Sequence, residues 1–410
     1  MGFIDKNDIS EVIAKWGTPV FVYSEQSIAD QVNKALSIQP PFGLTVRYAM
    51  KANPTRAIIK YIYSQGVKID ASSGYEADRA LLAGVKPEDI SITSQELPKN
   101  LKLLVEQGVW FNACSLYQLE EFGKIFNGHR VGVRINPGQG SGYSNKAKVG
   151  GPSASFGIWH EYIDEIKDIA QKYKLNVTTI HTHIGTGSDP DVWLKVVNKT
   201  IALVNDFDNV DTIDLGGGYK VARMSNEQAT DLQAIGKIAS TRIQDYYKKT
   251  GRKLKLEIEP GNYLVANSAY LITSVIDIVD TGRDGYKFIK VDTGMNDILR
   301  PSLYGAQHPI DVINNTIRMG NFVVVGHCCE SGDILTTTPG KPEELSTRKL
   351  NIPAIGDPLI IGGVGAFCTA MNARNYNSFP ACTQVIKTAD GSYIPITRAE
   401  SVDDIVSLEI

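Results

Sequence analysis

The stretch Thr45-Val-Arg-Tyr-Ala-Met-Lys-Ala-Asn-Pro54 decides how the chain is read. Val46, Tyr48 and Met50 alternate along it, the period of a strand with one packed face. Lys51 falls where that strand should end, among apolar neighbours. Held in a partly desolvated pocket, such an amine would lose its proton more readily and become a nucleophile toward carbonyl carbon. The other reading is a surface lysine beside a turn, and this stretch alone leaves both open.

Working outward, Thr18–Tyr23 carries a strand signal and Ser24 to Leu36 has helical spacing. Apolar runs then recur at Leu44–Met50, Val67–Ala71, Ile90–Thr93, Val109–Ala113, Arg130–Ile135, Val177–Ile184, Val210–Leu215 and Leu254–Ile258. The segments between read mostly as helices: Thr55–Ser64, Gly74–Leu82, Leu97–Glu106, Leu116–Ile125, Glu161–Tyr173, Asp191–Asn205 and Asn226–Lys249. Strands alternating with helices in this number predict an α/β fold, a closed parallel (β/α)8 barrel of the TIM type. The irregular insertion Gly138–Phe156, rich in Gly and Ser, is expected to be a loop over the barrel mouth.

Such a barrel places its chemistry at the C-terminal ends of its strands. Those ends carry Lys51; Asp70 with Ser72 and Ser73; Thr93 with Ser94; Asn112 with Ser115; Arg134 with Asn136; His181 with His183; Gly216-Gly217-Gly218; and Glu259-Pro260-Gly261. Beyond about residue 268 the pattern changes. Leu271–Val279, Tyr286–Val291, Asn321–Gly326, Pro358–Gly362 and Ala381–Lys387 are strand-like and separated by turn residues, which predicts a mostly antiparallel β domain. The expected division is a barrel over 24–268 and a β domain from 1–23 and 269–410.

Composition narrows the function classes. Of 410 residues, 42% are hydrophobic and 21% charged, enough apolar material for buried cores. A net charge of −3 without a basic block argues against nucleic acid and against a polybasic membrane contact. No apolar run reaches the roughly 20 residues of a membrane span, and the charged N-terminus is unlike a signal peptide, so a cytoplasmic protein is expected. Cys114, Cys328, Cys329, Cys368 and Cys382 show neither CxxC nor His-Cys metal spacing.

Four groups carry the chemistry. Three glycines straight after a strand, Gly216–Gly218, let backbone N–H groups approach an anion; a tight turn would use the same residues. His181 and His183 point the same way from a strand. No carboxylate or cysteine lies near them in a ligand-like pattern, so no metal is expected, and an imidazole lying flat on a ring is the better use. Thr186 and its adjoining glycines offer a second anion cradle. Glu259, ending the last barrel strand, could pair with a protonated ring nitrogen or serve only as a cap. An aldehyde-trapping lysine, a phosphate cradle, a flat imidazole and a pyridine-pairing carboxylate together describe a site for pyridoxal 5′-phosphate.

At this point the chain resembles the fold-type III pyridoxal-phosphate decarboxylases. The resemblance rests on YAMKAN (48–53), RINPG (134–138), HTHIGTG (181–187), DLGGGY (214–219), EPG (259–261), VDTGMNDILRPSLY (291–304), CESGD (329–333), and GAF with NYN (365–367 and 375–377). It implies that Lys51 bonds the cofactor, His183 stacks on its ring, Glu259 pairs with its nitrogen, and Thr186, Gly216, Gly217 and Gly218 hold its phosphate, with Tyr376 as a further contact. It implies that Arg300 and Tyr304 clamp a substrate carboxylate, that Glu330 meets a distal amino group, and that Cys329 reprotonates the carbon that has lost CO2. A homodimer with shared sites is also implied.

The first-ranked reaction is decarboxylation of meso-2,6-diaminopimelate to L-lysine. Related decarboxylases of ornithine, lysine or carboxynorspermidine, or a silent cofactor-binding homologue, are the alternatives. Three positions depart from the family pattern: Asn262 stands where EPGR has arginine, Phe367 where GAY has tyrosine, and SASFG (153–157) replaces SKFG.

Overall fold

The computed structural model describes residues 2–138 and 150–410, so most of the 138–156 insertion lies outside the described residues. Packing divides the chain into two units. One holds Ala29–Val221 and Gln228–Leu264; the other holds Met1–Ile28, Ala222–Glu227 and Val265–Ile410.

The chain opens with α1 (Lys6–Trp16), β1 (Val20–Ser24) and α2 (Glu25–Leu36). Then come β2 (Leu44–Ala49), α3 (Arg56–Ser64), β3 (Lys68–Ala71), α4 (Gly74–Leu82), β4 (Ile90–Ile92), α5 (Leu101–Gln107), β5 (Trp110–Ala113), α6 (Leu116–Ile125) and β6 (Arg130–Asn136). The short β7 (Ile158–Trp159) precedes α7 (Ile163–Lys172), β8 (Asn176–His181), α8 (Pro190–Val204), β9 (Thr212–Asp214), α9 (Leu232–Thr250) and β10 (Lys255–Ile258). Around the ring β2, β3, β4, β5, β6, β8, β9 and β10 pair in that order, each pair parallel, and β10 pairs with β2 to close it. The expected eight-stranded barrel is therefore present. Four of its helices start where side-chain caps satisfy the first N–H groups: Ser73 for α4, Ser115 for α6, Asp189 with Pro190 for α8, and Asp231 for α9.

One local expectation fails. Strand β2 does not have a single packed face: Val46, Arg47, Tyr48 and Ala49 are all buried. Helices cover the outside of a closed barrel and side chains fill its inside, so both faces of a strand leave water. Arg47 is the residue that uses the inner face. Its guanidinium pairs with the buried Glu257 on the neighbouring strand and donates to the Asp89 carbonyl at 3.2 Å. Burial opposes its charge, yet Glu257, Asp214 and Asp70 outweigh burial and hold Arg47 above its usual range.

Paired residues in a parallel ladder share a face, so the registers Glu257↔Asp214 and Asp214↔His181 align these three side chains. The barrel interior is thus charged, and the charge is arranged in partners.

The second unit continues with β11 (Ala269–Asp280), β12 (Lys287–Val291), β13 (Ile310–Val312), β14 (Met319–Val325), β15 (Thr337–Thr338), β16 (Lys341–Leu345), β17 (Arg348–Asn351), β18 (Pro358–Gly362), β19 (Thr383–Lys387) and β20 (Tyr393–Thr397). Its main sheet runs β17-β14-β12-β11-β1-β19-β20, with β18 on β11 and β13 on β18. The sheet is mostly antiparallel as expected; β1–β19 and β12–β14 are its parallel pairs. Ile4, Ile9, Val12, Val20, Val22, Ile272, Ile360, Val385 and Tyr393 form one core cluster. Helix α1 was not foreseen. Asp5 caps it by accepting from Asn7 and Asp8 N–H groups, and it buries Ile9 and Val12 in that cluster. Among the described residues no helix is long and apolar enough to cross a membrane.

Removing one partner of a buried ion pair leaves the other charge without compensation. Glu257→Ala is expected to lower stability by about 3–5 kcal/mol in urea denaturation, and Glu257→Gln by less; an unchanged midpoint for the alanine variant would contradict this account of the interior.

Candidate active site

Strand β2 ends in a short helical turn, Met50–Ala52, that carries Lys51. Met50 and Ala52 are buried on either side of it, and the Tyr48 hydroxyl donates to the Asn53 carbonyl at 3.0 Å, pinning the turn. Lys51 itself is exposed, so the described residues do not by themselves form the partly desolvated pocket expected for it. Its positive charge nevertheless acts on Asp70, Glu76 and His183, all of which lie within its electrostatic reach. Glu76 accepts from the Ser72 N–H at 2.7 Å and so closes the loop after β3.

Three side chains from consecutive strands meet at the top of the interior. His181, Asp214 and Glu259 have donor atoms within 4.8 Å of one another, and all are buried. This corrects the sequence reading that no carboxylate lies near His181. The His181 Nε2–Glu259 Oε2 separation is 3.4 Å. Burial opposes ionisation of Glu259, but the neighbouring His181 holds its carboxyl below the ordinary carboxylate range. Asp214 goes the other way: burial, then the charges of Glu259 and Glu257, push it well above that range. Asp70 is pushed up by burial and by Glu259. Of these three carboxyl groups, Glu259 is shifted down while burial and neighbouring charge shift Asp70 and Asp214 up.

The glycine turn is built against this cluster. Asp214 Oδ1 accepts from the Gly216 N–H at 2.8 Å, the Gly216 carbonyl accepts from the Glu259 N–H at 2.8 Å, and the Gly218 carbonyl accepts from the Gly187 N–H at 3.1 Å. No side chain fits here. A Cβ at Gly217 would lie 2.6 Å from the Glu259 carbonyl oxygen, and one at Gly218, whose φ is +96°, would lie 1.8 Å from the Gly185 oxygen. Both positions look onto the His183 ring, 3.6 Å from Nε2 and 3.4 Å from Cε1. His183 Nδ1 accepts from the Gly185 N–H at 3.0 Å. Burial, with Arg134 and Lys51, pushes the ring well below its ordinary range, so it is neutral. Thr186 is half-buried in the same loop.

The remaining predicted residues lie in the β unit. Arg300 opens the short helix Arg300–Tyr304 and is buried; its Nε donates to His308 Nε2 at 3.4 Å. The Tyr304 hydroxyl lies 3.8 Å from the Met371 sulfur. Cys329 and Glu330 are exposed on a turn fastened by Asp333, which accepts from the Cys328 N–H at 2.9 Å and the Met295 N–H at 2.7 Å. The Cys329 N–H donates to Asn377 Oδ1 at 2.7 Å, and the Tyr376 hydroxyl donates to Glu330 Oε2 at 3.4 Å. Tyr376 thus contacts a residue read as substrate-binding, whereas sequence reasoning gave it to the cofactor. Burial and then Asp333 push the Cys328 thiol up to about 12, which separates it from its exposed neighbour Cys329. Asp214, Asp333, Asn377 and His308 were assigned no role from sequence. Asp214 heads the DLGGGY motif, Asp333 ends CESGD and Asn377 ends NYN, so motif membership could have marked these three, whereas His308 lies in none of the quoted motifs.

These groups fit one cofactor. Glu259 Oε1 has no hydrogen-bond partner among the described residues although it is buried. A charged acceptor of that kind, a neutral ring facing a turn that admits no Cβ, and an amine at the strand end suit a planar protonated pyridine with an anionic arm. Residues 25–266 match the family described as pyridoxal-dependent decarboxylase, pyridoxal binding domain. Over 416 residues the chain is 35% identical to diaminopimelate decarboxylase of Buchnera aphidicola from Acyrthosiphon pisum, covering 99% of this chain and 97% of that one. The Escherichia coli K12 enzyme of the same name is 34% identical, covering 97% and 95%.

The chain belongs to the diaminopimelate decarboxylase family.

The solved structures agree. A diaminopimelate decarboxylase crystal structure superposes with a TM-score of 0.91 at 32% identity, covering 98% of this chain and 96% of that one. Another, from Helicobacter pylori in complex with L-lysine, gives 0.85 at 26%, covering 98% of each chain. Members of this family are pyridoxal-phosphate enzymes acting on amino acids, and the barrel unit contains the matched cofactor domain almost entirely.

Gly218→Ala forces both a collision and a strained φ. It is expected to weaken retention of pyridoxal phosphate at least about tenfold, read as loss of visible absorbance after gel filtration, with far-ultraviolet circular dichroism unchanged.

Proposed function

We infer that this chain removes CO2 from meso-2,6-diaminopimelate to give L-lysine, in the cytoplasm and as a homodimer. The observation that carries the substrate choice is Arg300. It is 8% exposed, and among the described residues it has no carboxylate partner. A buried guanidinium without an anion is costly, and a substrate with a second amino-acid head supplies that anion. Tyr304 on the same short helix and Glu330 with Tyr376 supply a hydroxyl and a carboxylate suited to the rest of that head.

Bound pyridoxal phosphate supplies the electron sink that makes loss of the carboxylate possible. The chain's own residues do the rest. Lys51 holds the cofactor between turnovers. Glu259 keeps the ring nitrogen protonated, and its low proton affinity, set by His181, makes it a persistent anion. Neutral His183 covers the ring face without adding charge. Gly216, Gly217, Gly218 and Thr186 receive the phosphate, and Arg300 with Tyr304 fixes the distal carboxylate. Cys329 delivers a proton to the carbon that has lost CO2. Free cysteines throughout the described chain suit a reducing compartment.

Asn262 and Phe367 remove two polar contacts the family pattern would provide, and they favour the second reading, a decarboxylase of ornithine, lysine or carboxynorspermidine. CO2 release measured across diaminopimelate, lysine, ornithine, arginine and carboxynorspermidine separates the two. Turnover of diaminopimelate alone is expected; turnover of another member of the panel without it would sink the first reading.

The exposed residues Cys329, Glu330 and Ser331 support sites shared between protomers. Lys51→Ala and Cys329→Ser are each expected to be inactive or nearly so, the latter through a roughly 10²–10⁴-fold fall in kcat. Mixed and allowed to exchange subunits, they should regain activity neither has alone. No recovery despite proven exchange would mean that each site is built from one chain.

A further inference from the structure

The β unit contains a second arginine, Arg223, whose charge acts on the same buried His308 and Cys368 as that of Arg300. The segment Ala222–Glu227 belongs to this unit although it follows the barrel strand β9 directly in sequence. Glu227 Oε2 accepts from the N–H groups of Arg223 at 2.7 Å and Met224 at 3.2 Å, and Asn267 Nδ2 donates to the Ala222 carbonyl at 2.9 Å. The backbone at Arg223 is therefore fixed on both sides.

The Arg223 side chain is then laid along β18. Its Nε donates to the Gly363 carbonyl at 2.8 Å. A Cβ at Gly363 would sit 2.9 Å from Arg223 Cγ and 3.0 Å from Cδ, so the glycine is what lets the arginine lie on the backbone. The preceding carbonyl, that of Gly362, accepts from His308 Nδ1 at 2.9 Å, which leaves Nε2 as the acceptor for Arg300 Nε. Arg223 and His308 thus hang from consecutive carbonyls, and Arg300 hangs from His308.

Both cations act on the same two buried groups. Burial, then Arg223, then Arg300 push His308 well below its ordinary range. The Cys368 thiol is raised to about 11 by burial while Arg300 and Arg223 pull against that rise. Arg300 touches this imidazole directly, and Arg223 reaches it through its charge. Two planar donors forks grouped in this way, one of them buried without a carboxylate, match a carboxylate ligand.

We propose that Arg223 is a second substrate-binding arginine, acting with Arg300 on the distal carboxylate. The proposal rests on the diaminopimelate reading above. His308 is the positioning residue that sets Arg300 relative to it.

The test uses the holoenzyme, with L-lysine, which keeps the distal carboxylate, and 1,5-diaminopentane, which lacks both carboxylates, as calorimetric probes. Arg223→Gln is expected to raise the Kd for L-lysine and the KM for diaminopimelate about 10–100-fold, the loss of one charge-assisted contact. It should change kcat by less than about threefold and leave diaminopentane binding and cofactor absorbance as they were. Arg223→Lys, which keeps the charge, should recover part of the loss and serves where the glutamine variant does not fold. Equal weakening of both probes would mark a structural role and overturn the assignment. So would lost cofactor absorbance with lysine binding intact, which would place Arg223 at the cofactor phosphate, and so would unchanged lysine affinity. If the unaltered enzyme neither turns over diaminopimelate nor binds L-lysine, the functional reading fails and takes this one with it; insensitive Arg223 variants of an active enzyme refute this one alone.

Discussion

Charge inside the barrel is the constraint on which the rest of the structure depends. Asp70, Asp214, Glu257 and Glu259 are all buried in one unit, and four ionised carboxyl groups cannot share such an interior without partners. The chain resolves this by division. Arg47 takes Glu257, and His181 takes Glu259. Asp70 and Asp214 are pushed toward their neutral forms. The negative charge that remains accessible to a ligand is placed at the end of β10. Asp214 also joins this electrostatic arrangement to the glycine turn, because its second oxygen receives the Gly216 N–H. The carboxylate–imidazole cluster and the glycine turn therefore share one side chain.

The β unit solves a different problem, that of holding polar side chains on turns without regular secondary structure. It uses backbone groups as anchors. Asp333 collects two N–H groups, Asn377 collects that of Cys329, and the Gly362 and Gly363 carbonyls collect His308 and Arg223. Neighbouring residues consequently differ sharply in character. Cys328 is buried against Asp333 and chemically silent, while Cys329, one residue on, is exposed.

Much of this was legible in the sequence, for reasons that can be named. The eight barrel strands were marked by apolar runs bounded by turn residues, and helices separated them at a spacing no antiparallel sheet would need. Strand ends could then be read as a list of polar side chains, and Lys51, His183, Glu259 and the glycines followed from it. What could not be read was pairing across strands. His181, Asp214 and Glu259 are far apart in sequence, and only ring closure brings them within reach of one another. The same holds for Arg47, whose position within an apolar strand makes sense only once Glu257 is beside it. His308 and Arg223 were hidden because their contacts run to glycine carbonyls, which leave no mark in side-chain patterning. Helix α1 was missed although Asp5 and Asp8 form a reciprocal cap and Ile9 and Val12 fall on one face.

The sheet of the β unit draws on both ends of the chain: Val20–Ser24 lies between a strand that starts at Ala269 and one that starts at Thr383. A ribosome releases the first of these long before it has made the last. Throughout most of synthesis, β1 therefore waits with both hydrogen-bonding edges open while the whole barrel sequence passes through the exit tunnel. Vectorial translation thus favours completion of the barrel before the sheet, and leaves β1 in need of protection until Thr383–Lys387 has been made.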